Sequence, residues 1–448
     1  MPSVPLGLQS YARARGIQPE TRLVNLYLEE DESGASPDQT YRLQRPGLNR
    51  LLTFPAAIRG IYQSDNVLSS QTIVVAGDRL YTSDLAGFTD VGALTSDGDT
   101  ASIAATFERV GIATAGEFWV YDGETLAQID LPDGQSIVDL DVINSYFIVG
   151  LSDGRFFWLA PGETEFDALN FATAESLPDG IVAVRRLKDD IFLLGSRSIE
   201  VWQATGDADS TFQRAGGRLI DRGCHARETV ASFDNSLIFM GEDGIIYRLS
   251  DVPTRVSTFG IEERIRRRTD LCSAFVFTTE GHKFYCLRVP GEGTFCYDAA
   301  TKQWCEFSTL GATVWAPTAG LDTNGGPICG DAAGKLYLLD PDAVTDDGLA
   351  IQRLCTGTIA LPATPVRNNS LAVGVGCDDP ATFMLRYRDA RDDDWSDPIN
   401  LPSRPGSDVL NAWRLGATRG PSRTFEISTT APTKIRISGA LANESWAI

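Results

Sequence analysis

Residues 146–160 read YFIVGLSDGRFFWLA: a run of β-formers, a Ser-Asp-Gly turn, and a second run that ends on a tryptophan. A tight hairpin needs φ > 0 at its turn, which glycine supplies without strain. A first run apolar on both faces is a strand covered on both sides. The same unit recurs as IVVAGDRLYTSD (73–84), GIATAGEFWVYDG (111–123), IFLLGSRSIEVWQATGD (191–207), LIFMGEDGIIYRLSD (237–251), FVFTTEGHKFYCLRV (275–289) and PICGDAAGKLYLLDPD (327–342). The starts lie roughly 35–50 residues apart, the period of four-stranded propeller blades. The aromatic of the second run (Tyr81, Trp119, Trp158, Trp202, Tyr247, Tyr285, Tyr337) is expected to fill the wedge against the next blade. The fold class that follows is all-β: a β-propeller of six or seven blades over residues 51–345.

Both flanks differ from the repeat. Residues 1–50 mix Pro, Arg and acidic residues around one apolar stretch, Leu23 to Leu28, and read as an extended N-terminal arm packed on the domain or on a neighbour. Beyond about residue 345 the hairpin signature stops. LAVGVG (371–376), TFMLRYRDA (382–390), TFEISTT (424–430) and KIRISGA (434–440) are separated by turns rich in Asp, Pro and Gly, so 346–448 reads as a small antiparallel β-sandwich. One charged stretch interrupts the propeller, IEERIRRR (261–268), with Ile261 and Ile265 one helical turn apart. It is either a solvated helix between blades or a docking helix for a partner. The candidate partner interface is Glu262, Arg264, Arg266, Arg267 and Arg268, together with Arg13, Arg15 and Arg22 of the arm.

The net charge of −21 is spread along the chain rather than gathered in a tail. That sign repels phosphate and argues against sequence-specific reading of nucleic acid, while an acidic tube would let DNA slide past its wall. The N-terminus lacks the apolar core of a signal peptide and no window reaches 18 apolar residues, so cytoplasmic synthesis, without a membrane, is expected. The eight cysteines show no CxxC. A hairpin at Gly291 sets Cys286 opposite Cys296, and a turn at Ala300-Thr301 sets Cys296 opposite Cys305. In the cytoplasm these are expected to be free, buried thiols.

No motif in the sequence carries catalytic chemistry. There is no phosphate loop, and Cys224-His225 face opposite sides of a strand. His282 falls in a hairpin turn. Ser152-Asp153-Gly154 before Trp158 approaches the sialidase box SxDxGxxW but fails its spacing. The acidic run Asp389, Asp392, Asp393, Asp394 and Asp397 lacks the EF-hand pattern, and an acidic surface turn is the default over a calcium site. No enzyme, metal or cofactor is expected.

Several stretches in order resemble the packaged-DNA stabilisation proteins (tail accessory factors, or tail hubs) of short-tailed phages. They are VNLYLEE (24–30), PGL (46–48), IRGIY (58–62), VVAGDRLYTSD, ESLPDGIVAVRRLKDDIFLLGSRSIEVWQATGD (175–207), the IEERI helix, GHKFY (281–285), TFCYDAATKQWCEF (294–307) and the C-terminal WRLGATRGPSRTFEISTTAPTKIRISGA. The arm departs from the family in composition and the inter-blade loops are short. The resemblance implies a structural hub or nozzle subunit in the virion tail, in a ring, a homo-hexamer, below the portal or head–tail adaptor. It implies closure of the DNA channel after packaging, a hold on the tail needle or tip, a mount for fibres or spikes, and passage of DNA without sequence recognition during ejection. Two other readings compete: a glycan-binding or glycan-degrading tail propeller, and a generic propeller scaffold for protein interactions.

Overall fold

The structure is a computed structural model of the 448-residue chain. It describes all residues except 1–2, 12–19, 32–39, 133, 208–209, 268–271, 361–365, 390–393, 404–407, 419–421 and 447–448. Seven four-stranded antiparallel blades follow one another. Their inner strands are Ile58–Tyr62, Ser102–Ala105, Ile137–Ile143, Ile181–Leu187, Ala231–Ser232, Ser273–Thr279 and Pro317–Thr323. The propeller therefore has seven blades. Within the described residues no helix is long and apolar enough to cross a membrane.

The hairpin logic is visible in blade 3. Phe147 to Gly150 pair with Leu159 to Phe156. Gly154 turns the chain at φ 91°, and Asp153 accepts from the Arg155 backbone N–H at 3.0 Å. In six of the seven copies the repeat is the second and third strands of a blade. In the copy at 275–289 it is the first and second, Ser273–Thr279 with His282–Val289. The second hairpin of blade 6 comes next and sets Cys286 opposite Cys296, then Cys296 opposite Cys305, as the turn positions require. All three thiols are free and buried.

Side chains between blades sort by seam. Separate apolar clusters fill the seams between blades 1 and 2, 2 and 3, 3 and 4, 4 and 5, 5 and 6, and 7 and 1. In the seam between blades 3 and 4, Trp202 stands edge-on to Phe156 at 4.9 Å beside Trp158 and Phe212. The seam between blades 7 and 1 is tight: a Cβ on Gly330 would stand 2.7 Å from Ile58.

Blade 7 obtains only three strands from its own stretch. Its fourth is Gly47–Thr53, paired antiparallel with Lys335–Asp340. The ring is thus closed by a strand from the end of the arm, which places the start of the propeller at residue 47 rather than 51. The rest of the arm also pairs. Leu26–Glu30 and Thr40–Gln44 form a hairpin, which joins the C-terminal strand Ile435–Trp446. Leu23–Val24 lies between the outer strand of blade 6, Trp304–Phe307, and Arg353–Ala360. The C-terminal β-sandwich is present, and its two sheets share one core with blades 6 and 7.

Candidate partner surfaces and the propeller channel

The seven inner strands enclose a cavity of about 470 Å³ on the propeller axis. That is the size of a small-molecule pocket. Its wall is charged but paired. Asp139, fully buried, accepts from Arg185, from the Val184 N–H at 2.9 Å and from Ser102 at 2.5 Å. Burial raises the Asp141 carboxyl against the opposing pull of Arg185. The short helical turn Arg227–Thr229 ahead of blade 5 spans the axis. Arg227 donates to the Val138 carbonyl of blade 3 at 2.6 Å and to the Thr100 carbonyl at the head of blade 2 at 2.9 Å. One end of the axis is crossed by protein.

The candidate interface residues divide into two groups. Ile261 and Ile265 bury the helix Phe259–Ile265 in the seam between blades 5 and 6. Glu262 is buried with them, held by Arg255 through two bonds of 2.8 Å and by Ser257 at 2.8 Å, so it is a structural ion pair rather than a surface group. Arg264 bonds the Glu292 carbonyl at 3.2 Å and lies 3.6 Å from Glu20 of the arm. Arg22 reaches Glu306 at 3.1 Å. Among the described candidates only Arg266 and Arg267 point outward, with side chains 59% and 52% exposed. Arg13, Arg15 and Arg268 lie outside the described residues.

The two histidines have distinct places. His225 is exposed beside buried Cys224. His282 packs edge-on to Tyr27 of the arm at 4.9 Å, with Nδ1 2.8 Å from Asp298. Trp158 of the near-sialidase box is in the blade seam, while Asp153 pairs with Arg155 at 2.7 Å. Asp389 is bonded to Arg423 at 2.6 and 3.0 Å and is not available to a cation. Asp392 and Asp393 lie outside the described residues, and among the described residues no acidic, Cys or His group has metal-binding geometry.

Charge, which the whole-chain figure presents as evenly spread, segregates once the blades are known. Residues 58–180, blades 1 to 3, hold 20 acidic and 4 basic residues and no lysine; the rest of the chain holds 40 and 35. The same sector exposes Phe107 (72%) and Leu169 (82%). On the far unit, the outward face of the sandwich sheet exposes Trp413 (65%) among arginines. The first feature was countable in the sequence but needed blade boundaries to be meaningful. The second needed the strand register.

A family model described as "Bacteriophage P22 Gp10, beta-propeller" matches residues 10–344. Among curated proteins no sequence matches the chain. Solved structures similar to it include the computationally designed Ika8 protein (13% identity, 75% of this chain and 98% of that one, TM-score 0.42). The WD40 β-propeller domain of Doa1 (13%, 66% and 96%, 0.43) and BamB from Moraxella catarrhalis (10%, 70% and 97%, 0.41) are others.

Proposed function

Because the chain belongs to the phage stabilisation family typified by bacteriophage P22 Gp10, we propose that it is a non-enzymatic subunit of the virion tail that joins the portal or head–tail adaptor to the tail tip or needle. In this reading copies form a ring, a homo-hexamer, that holds packaged DNA, becomes part of its ejection conduit and offers a mount for fibres or spikes.

The narrow propeller axis crossed by Arg227 is the observation that carries the arrangement. DNA cannot thread an individual propeller, so a conduit built from this chain lies between copies. An acidic wall around it repels phosphate and leaves DNA free to slide.

Electron microscopy of the purified protein, alone and mixed with the portal complex of the same genome, tests this. A ring docked end-on to the portal with an open centre is expected. A protein that stays monomeric and ignores the portal removes the reading.

A further inference from the structure

We infer that copies of this chain join head to tail, the acidic sector of blades 1 to 3 on one copy facing the arginine-and-tryptophan face of the sandwich on the next. The inference rests on the ring reading above and names the surface that would build the ring.

The acidic half comes from an excess of 16 negative charges over residues 58–180. Three of its four arginines already face local carboxylates: Arg59 near Asp97, Arg79 with Asp90 and Arg155 with Asp153. The fourth, Arg109, donates to the Glu163 carbonyl at 2.5 Å. Among the described residues the exposed carboxylates of Glu124, Glu163 and Glu165 have no salt-bridge partner, Arg109 meeting Glu163 through its backbone carbonyl. A surface that served only to repel DNA has no use for exposed apolar side chains, yet Phe107, Leu169 and Phe171 stand out among these carboxylates. Apolar anchors inside a charged rim are the makeup of a protein interface.

The complementary half is on the sandwich. Alternation along Val366–Cys377, Val409–Trp413 and Ile435–Trp446 puts Leu371, Val373, Leu410, Ala412, Ile437 and Ala442 inward. It puts Arg367, Trp413, Leu441 and Arg436 outward, with Arg414 just past the strand end. Among the described residues none of Arg367, Arg414 and Arg436 has a carboxylate partner. Trp and Arg are the residue types that dominate protein interfaces. Among the described residues Val409–Trp413 is the last strand in the order of its sheet.

Two such faces on one chain cannot satisfy each other internally, because the sandwich is fused to blades 6 and 7. Seven blades divide the circle into steps of about 51°, so blade 2 stands about 130° from the seam between blades 6 and 7. Like-charged sectors rule out a symmetric pairing of blades 1 to 3 with themselves, leaving a heterologous contact. Heterologous contacts between faces that are not diametrically opposed bend the assembly toward closure.

Charge exchange tests this with the full chain, alone and on the portal complex, read by mass photometry and electron microscopy at low and high salt. One variant carries Glu124→Lys, Glu163→Lys and Glu165→Lys; a second carries Arg367→Glu, Arg414→Glu and Arg436→Glu; a third carries both sets. Circular dichroism and thermal melting confirm that each is folded. The wild type is expected to close rings whose subunit affinity falls at least tenfold between 50 and 500 mM salt, an illustrative range for screened charge pairs. Each single-face variant should lose rings on its own, while an equal mixture of the two, in which native and exchanged contacts alternate, and the double-face variant should both regain rings. Wild-type rings that persist in both single-face variants overturn the interface and leave the proposed function standing. A wild type that forms no ring, alone or on the portal, overturns both. Capture of duplex DNA by the Arg367 and Arg414 face in place of self-association also overturns the inference.

Discussion

Blades 1 to 5 and blades 6 and 7 obey one repeat but end differently. Among the described residues the first five stop at an outer strand with no further pairing, and the cores on either side of each are clusters of two neighbouring blades. Blade 6 continues through Leu23–Val24 into the sandwich as a nine-stranded sheet, and blade 7 takes its fourth strand from the arm. At their seam lies a polar lock. Arg45 is fully buried and donates to both oxygens of Asp346 at 2.9 and 2.6 Å, to Asn25 at 2.8 Å and to the Ser308 carbonyl at 3.1 Å. Its guanidinium also lies over Trp315 at 4.8 Å. The difference teaches that a propeller manages its edges in two ways. Exposed edges stay available to partners, and covered edges turn two units into one folding body.

The strongest break in that comparison is removal of the arm. A chain beginning at residue 54 lacks the closing strand and Arg45, leaving the outer edge of Lys335–Asp340 unpaired and the seam between blades 7 and 1 without Leu51 and Leu52. It is expected to lose cooperative unfolding altogether; a soluble monomer melting at the wild-type temperature would show that closure is dispensable.

Next is Arg45→Ala, which strands the Asp346 carboxylate in the interior. Breaking a buried pair from one side costs about 3–5 kcal/mol, and urea unfolding should show it as one shifted transition for propeller and sandwich together. Two separated transitions would mean that the units are only neighbours.

Trp202→Ala, in the free-standing blades, is expected to cost about 3 kcal/mol, the low end for a large aromatic because Phe156, Trp158 and Phe212 can partly close the space. Unchanged stability in the same assay would mean that the seam does not depend on that ring.

The smallest effect is pH-dependent and belongs to the covered edge. Burial opposes the His282 charge, but the Asp298 hydrogen bond and the carboxylates of Asp298, Glu29 and Glu280 outweigh it, so the pKa is raised above 6.5. A raised pKa in the folded state means that protonation favours folding. This stability is whole below about pH 6.5 and is lost as pH rises through the higher folded-state value. Melting temperature should therefore gain on acidification from pH 8 to 6 relative to His282→Gln; parallel profiles for the two proteins would remove the effect.

The repeat was legible because a hairpin is encoded locally. Asp153-Gly154 fixes the turn, and Trp158 lies within a few residues of the strand it accompanies. The same locality explains the slip in blade 6, where the Glu280-Gly281 turn before HKFY imitates a second hairpin although it joins the first and second strands. The helix was legible through Ile261 and Ile265, but that Glu262 faces inward could not be read, because its partner Arg255 belongs to the outer strand of blade 5. Charge segregation was present in the residue counts and hidden by averaging.

By itself the sequence determined the all-β character, the near-sevenfold repeat and the cysteine ladder. Each of these is written in contacts between residues a few to a few tens of positions apart. Only the tertiary structure decided that Gly47–Thr53 closes the ring against Lys335–Asp340, that the arm hairpin completes the sandwich, and that Arg45 meets Asp346 three hundred positions away. Those pairings have no local signature. They follow from which strand edges remain open after every local hairpin has formed, and from the cost of leaving such an edge, or a buried charge, without a partner.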